Sequence, residues 1–425
     1  MCSVNQIKNT IMKTTKRITI LLCALMMTIP MMFAQTPRGN ARDGSFFTPE
    51  TLPFSVLRMR EFMPTTNVPR GNAERLTSFR YALREEAIDG LMFVPWGRTE
   101  PITWRQSLEE NYTDGIIILH RGKIIYERYF GEMTPESLHA MMSVTKSFTG
   151  TLAASLVAEG KLNPQMRVDY YIPELAGSGF GDATVREVMD MTTAIAYSED
   201  YTNPNAEVWG FSAAGNAMIE HPAGTPQGFR DYIPMVKKDG SHGEKFGYRT
   251  INTDVLGWIV ERVGGAPIAE QLRERVWSRM GMEQDAYYQV DAMGVAFAGG
   301  GLNVALRDLA RFGEMMRCGG RWHGKQIIPR EAVDDIRFGS NPAPFAASDY
   351  GKKLPGWSYR NMWWISNNAD GAFMARGVHG QAIYIDPAAE MVIVRVASNP
   401  MASNTHNDPI SLPAYQAVAD YLIQN

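Results

Sequence analysis

The chain carries strand-like apolar runs toward both of its ends and helical periodicities between them. Ile116, Ile117, Ile118 and Leu119 form a run suited to a buried strand. His120-Arg121-Gly122-Lys123 offers a turn and Ile124 to Phe130 returns, so residues 114–130 read as a hairpin. Near the far end, Gln381 to Ile385 and Met391 to Ala397 are two more such runs, split by a turn at Asp386-Pro387. Strands drawn from both ends predict an α/β fold: an antiparallel sheet flanked by helices, with a mostly helical region of about 160–290 inserted into it. Among the helices, Ser143 to Gly160 repeats Phe148, Leu152, Leu156 and Val157 at helical spacing. Val185 to Met191 is a shorter one. Thr253 to Val263 is stopped by Gly264-Gly265, and Asn303 to Met316 and Ala414 to Leu422 complete the set.

Before this body come two other segments. Lys13, Lys16 and Arg17 precede an apolar run from Ile18 to Phe33, and Ala34 offers a small residue for cleavage. Residues 1–34 therefore read as a signal peptide, with Met12 as an alternative start and Gln35 as the first mature residue. A membrane anchor is the competing reading, against which the run is short and Pro30 falls late in it. Cys23 follows Leu22, where lipid attachment would need a small residue. An exported chain, periplasmic or secreted, is expected, with no stable membrane insertion after cleavage. Cleavage would take the net charge from −3 to about −7 and leave Cys318 without an intrachain partner. That balance gives no basic stripe for nucleic acid. Residues 35–65 hold no sustained period and read as an arm over the body. Residues 35–110 as a whole are the arm and lead-in to a domain spanning 111–425.

Three elements could carry chemistry. In Ser143-Val144-Thr145-Lys146, a helix starting at the serine places the lysine one turn along on the same face. A serine hydroxyl needs a base to become a nucleophile. Lysine serves if neutral, which requires its pKa to fall by about 3 from roughly 10.4, near 4 kcal/mol of differential stabilisation. The helix N-terminus also offers free N–H groups to an oxyanion. On the motif alone, a helix cap with an exposed lysine fits equally well. The second element is Tyr248, shortly before an apolar helix, where a phenol can relay a proton or simply be buried. The third is Ala375-Arg376-Gly377-Val378-His379-Gly380-Gln381, a glycine-rich strand entry where a backbone N–H could complete an oxyanion hole.

In this order, the three elements resemble the serine β-lactamase and penicillin-binding family. The resemblance runs over roughly 112–425. Gly160-Lys161-Leu162, Tyr171-Ile172-Pro173-Glu174-Leu175, Met189-Asp190-Met191-Thr192-Thr193 and Ala298-Gly299-Gly300-Gly301-Leu302 reinforce it. Within the family the chain is most similar to the class C branch, which includes carboxylesterases, D-amino-acid peptidases and 6-aminohexanoate-dimer hydrolases. Tyr248 to Trp258 particularly resembles the last group. The resemblance implies Ser143 as nucleophile, Lys146 as general base, Tyr248 as proton relay, and the backbone N–H groups of Ser143 and Val378 as the oxyanion hole. Tyr201, Asn252, Gly377 and His379 are candidate substrate contacts. For Tyr201, a surface loop tyrosine fits as well.

The departures narrow the chemistry. The asparagine expected two residues after the motif tyrosine is Thr250, and the family's K-T-G falls on Ala375-Arg376-Gly377. Ala375 cannot hold a substrate carboxylate; Arg376 could compensate, although neighbouring strand residues point to opposite faces. Ser348-Asp349-Tyr350 is only a loop match to the family's S-D-N triplet. Esters or linear amides are favoured over β-lactams. A β-lactamase, a D,D-peptidase or a non-catalytic sensor or scaffold on this fold are the alternatives. The expected partner is a small or peptide-like ester or amide, with no nucleic acid. No G-x-S-x-G elbow and no H-E-x-x-H spacing occur, so no metal and no cofactor is expected.

Overall fold

Thr113–His120 and Lys123–Tyr129 pair antiparallel, and the two residues joining them, Arg121 and Gly122, both take positive φ, 50° and 73°. That is the backbone a two-residue hairpin turn needs to match strand twist. This computed structural model describes residues 38–72 and 76–425, and the leader expected over 1–34 lies outside the described residues.

The hairpin sits inside an eight-stranded sheet. The order is Ser358–Arg360, Trp363–Ile365, Phe373–Gly377, Gln381–Asp386, Met391–Ala397, Thr113–His120, Lys123–Tyr129 and Arg80–Tyr81. The last pair is parallel and the others are antiparallel. Met391–Ala397 lies directly beside Thr113–His120, so the two chain ends close one sheet, as the apolar runs predict.

Alternation along these strands feeds a core on each face. On one side the helix Leu306–Arg317 packs over the central strands and the helix Val144–Ala158 over Phe373–Gly377. Phe148 is fully buried and stacks on Phe312 at 3.9 Å between ring centres. Removing such a ring typically costs about 3–5 kcal/mol. On the other side the C-terminal helix Asp408–Gln424 brings Tyr415 against Tyr384 at 5.2 Å, with Arg395 over the Tyr415 ring.

A smaller sheet orders Thr65–Val68, Ala286–Gln289, Leu302–Ala305 and Leu138–Ala140. It corrects one expectation. Residues 302–305 are a strand, and the helix expected from Asn303 begins only at Leu306, because Leu302–Ala305 pairs with strands on both sides. The closing helix is also longer than expected, starting at Asp408 and running through Pro413. Between Leu138–Ala140 and Ala286–Gln289 the described residues form helices and loops without a named strand, which is the expected helical insertion. Among the described residues, no helix is long and apolar enough to cross a membrane.

Candidate active site

The strand Leu138–Ala140 delivers the chain to Ser143, the residue that flanks the N-terminus of the helix Val144–Ala158. Met142 takes φ 47°, a left-handed conformation that turns the strand sharply into the helix. Lys146 lies one turn on, 1% exposed, and its Nζ stands 2.8 Å from Ser143 Oγ and 2.7 Å from the Gly299 carbonyl oxygen. Both contacts are to neutral oxygens. Burial pulls the amine below the ordinary lysine value, while the nearby Glu199 and Asp254 carboxylates pull it back up.

The loop that supplies Gly299 is held by the same helix. Thr149 donates to the Ala298 carbonyl at 3.0 Å, and the Leu302 N–H donates to Thr145 Oγ1 at 3.2 Å. From below, Asp254 Oδ1 accepts the Gly299 N–H at 3.3 Å. A side chain at Gly299 would press within 2.5 Å of Thr250 Cγ2 and 2.8 Å of Asp254 Oδ2, so the approach of this loop to Lys146 requires glycine.

Tyr248 completes the cluster. Lys146 Nζ lies 5.2 Å from its ring centre. Burial and Glu199 push the phenol above its usual value, and Ser143 acts the other way. The ring is wedged against Trp364 at 5.5 Å, and Arg249, next in sequence, donates to the Tyr197 and Thr193 carbonyls and fixes the loop.

Across the serine lies the strand Phe373–Gly377. A Cβ on Gly377 would stand 2.7 Å from the Met141 carbonyl oxygen and 3.1 Å from the Ser143 nitrogen. Its lack of a side chain lets this strand come up to Ser143 and places Val378 beside it.

A cavity of about 600 Å³ reaches this cluster at Tyr248 and is lined also by Tyr201, Val378 and Trp364 among others. Tyr201 is 40% exposed and donates to Glu199 Oε1 at 2.6 Å. Arg376 lines the cavity as well. Its guanidinium pairs with Asp408 and lies 4.7 Å over the Trp364 ring.

Two expected substrate contacts are corrected. Asn252 is fully buried, its Oδ1 accepting from Thr193 at 2.6 Å, because its face of the helix Ile251–Gly264 turns into the protein. His379 is 7% exposed, bonded through Nδ1 to the Asn399 carbonyl at 2.7 Å, and does not line the cavity. Gly377 acts through its missing side chain rather than by lining the cavity.

Sequence reading missed Glu199. Its carboxylate accepts from Tyr201, from Thr250 Oγ1 at 2.6 Å and from the Thr250 N–H, and so ties the loop to the Tyr248 segment. The threonine standing where the family has asparagine is thus engaged by Glu199. A lone acidic residue in a loop without period carries no signal beyond its nearness to Tyr201. Among the described residues, no group of His, Cys, Asp and Glu is arranged to hold a metal ion.

The chain resembles known proteins over most of its length. Residues 106–409 match the profile of the β-lactamase family. The chain is 35% identical over 353 residues to the 6-aminohexanoate-dimer hydrolase of Paenarthrobacter ureafaciens, covering 83% of this chain and 87% of that protein. A solved structure from Bacillus anthracis, provisionally assigned as a 6-aminohexanoate-dimer hydrolase, superposes with a TM-score of 0.81 at 31% identity, over 91% of this chain and 97% of that one. EstCE1, a hydrolase with promiscuous acyltransferase activity, shares the fold at a TM-score of 0.59 and 17% identity, over 74% of this chain and 96% of its own.

Proposed function

The chain belongs to the β-lactamase family of serine hydrolases, and from that premise we propose that it cleaves a linear amide or an ester through an acyl-enzyme on Ser143. The observation that carries this reading is the buried Lys146 amine, 2.8 Å from Ser143 Oγ and without a carboxylate hydrogen-bonded to it among the described contacts. Neutral Lys146 takes the Ser143 proton as Oγ attacks the carbonyl carbon. The N–H groups of Ser143 and Val378 hold the oxyanion, each such donor being typically worth about 3–4 kcal/mol to the transition state. Tyr248 gives a proton to the departing amine or alkoxide and is reprotonated from Lys146. Water then releases the acid by the reverse sequence.

The cavity lining supports a linear substrate with polar ends. Glu199 and Asp200 line it, as do Lys353 and the paired Arg376 and Asp408. Such a lining suits a chain carrying an amine and a carboxylate, the chemistry named for the Paenarthrobacter relative. Export, with the mature chain starting at Gln35, is part of the same proposal and is checked by N-terminal sequencing of the protein from its native host.

The test is a hydrolysis panel: a short-chain nitrophenyl ester, a linear aminohexanoate dimer, a D-Ala-D-Ala peptide and a chromogenic cephalosporin. Turnover of the first two is expected to lead. A cephalosporin rate far above the rest overturns the substrate class. A fluorophosphonate probe is expected to add its mass to the wild type and not to Ser143→Ala, and an unlabelled wild type ends the hydrolase mechanism.

A further inference from the structure

Two residues bracket the candidate oxyanion hole, and both take a backbone conformation that side chains disfavour. Met142, just before Ser143, has φ 47°, and His379, just after Val378, has φ 62°. A Cβ makes the left-handed region costly, and such residues persist only where their surroundings hold them. His379 is held by hydrogen bonds to Asn399 and Ala402, and both Met142 and His379 also meet the arm at residues 38–63.

On the Met142 side, the arm residues Leu52, Val56 and Met59 form a buried cluster with Ala140, Met142 and Tyr287, and Phe47 and Val378 pack against it. The Val56 carbonyl accepts the Ala140 N–H at 2.8 Å, fixing the strand that leads into Met142. On the His379 side, the Phe47 ring meets the imidazole edge-on at 5.4 Å between centres. The arm is itself braced. Phe46 stacks on Phe62 at 5.1 Å, Thr51 Oγ1 donates to the Ser45 carbonyl at 2.8 Å, and Asn216 donates to the Ala41 carbonyl at 2.9 Å. Phe47 and Leu52 do not line the cavity. The arm also precedes the matched family segment, which begins at residue 106.

We propose that the N-terminal arm sets the oxyanion hole: by packing on Met142, Val378 and His379 at once, it holds the N–H groups of Ser143 and Val378 in convergent register. Phe47 and Leu52 are positioning residues, acting through Met142 and His379. The inference rests on the acyl-transfer reading of Ser143. It implies that the hole is complete only when the arm is docked, and that loosening the arm weakens transition-state binding while leaving ground-state binding alone.

The test uses the full chain and two variants, Phe47→Ala and Leu52→Ala, the second covering the case in which the first does not fold. Three quantities are read: kcat and KM on a nitrophenyl ester, the inhibition constant of phenylboronic acid, and the thermal midpoint. Boron bonded to Ser143 Oγ carries a hydroxyl where the oxyanion would sit, so this inhibitor reports on the hole. The expected result is a fall in kcat of about 10- to 100-fold, a KM within about twofold, and boronate binding weakened by the same factor as kcat. Phe47→Leu, which refills most of the volume, is expected to recover most of the loss. Unchanged kcat and boronate binding in a folded variant, with only a lower thermal midpoint, overturns the proposal by making the arm purely structural. A wild type that binds no boronate and turns over no ester is a different failure, that of the Ser143 mechanism itself.

Discussion

Among the described residues, Arg311 and Lys146 are both wholly buried, and the two cations are treated in opposite ways. Arg311 is wholly buried, and its guanidinium meets Asp308 at 3.2 Å, Glu283 at 2.6 Å and the Thr77 carbonyl. Lys146 is equally buried but contacts a hydroxyl and a carbonyl, with Glu199 and Asp254 acting on it only through space. The first is a cation whose charge is matched, a piece of architecture holding the chain near Thr77 to the helix Leu306–Arg317. The second is a cation whose charge is left without a bonded counter-ion, so its neutral form is favoured and becomes available as a base. Burial alone therefore does not mark a functional group. At Lys146 the mark is a buried amine within hydrogen-bond reach of a serine hydroxyl and without a bonded counter-charge.

The contrast can be broken from either side. Lys146→Arg puts a permanently charged group where a neutral one is needed, and kcat is expected to fall by at least about 10³-fold with the fold intact. A loss smaller than tenfold would place the base elsewhere. Arg311→Met strands the buried Asp308 carboxylate and should cost about 3–5 kcal/mol of stability, read by denaturant titration, while activity per folded molecule is retained. Lys146→Met tests the stability side of the same argument. Below the ordinary lysine pKa, a buried amine whose folded pKa is depressed subtracts from stability, and the penalty is complete once pH falls below the folded value. The inactive Lys146→Met protein should therefore gain about 1–2 kcal/mol at neutral pH. A protein no more stable than the wild type would show that Lys146 is not strained by its site.

The smallest effect concerns Glu199. Wild-type activity should rise with pH as Lys146 loses its proton. Glu199 favours the charged amine, so Glu199→Gln should move that limb to lower pH, by less than about one pH unit. The measurement is kcat/KM against pH, and a limb that moves toward alkaline pH contradicts the electrostatic role given to Glu199.

Much of this was legible in the sequence because apolar runs report burial. The hairpin at 114–130, the two C-terminal strands and the Ser143 helix appear where their patterns place them. Leu302–Ala305 was obscured because its apolar residues join the following helical pattern without a break. The start of the last helix was hidden by Pro409 and Pro413. At the site, Ser143, Lys146 and Tyr248 were found because they stand in register with a family pattern, and the structure brings them together. Asn252 was misjudged because only the helix orientation decides whether that face meets the cavity or Thr193. Glu199 and the arm contacts were out of reach, since both depend on side chains meeting across loops that have no period.

The pairing of Met391–Ala397 with Thr113–His120 sets an order of events during synthesis. The centre of the main sheet joins residues about 270 positions apart, a contact that must wait for nearly the whole chain. Ser143 emerges early, but Val378 and the strand that brings it emerge late. Until then Ser143 has Lys146 beside it but not the strand Phe373–Gly377 across from it, and a chain cut short before residue 391 lacks the strand that joins Gln381–Asp386 to Thr113–His120.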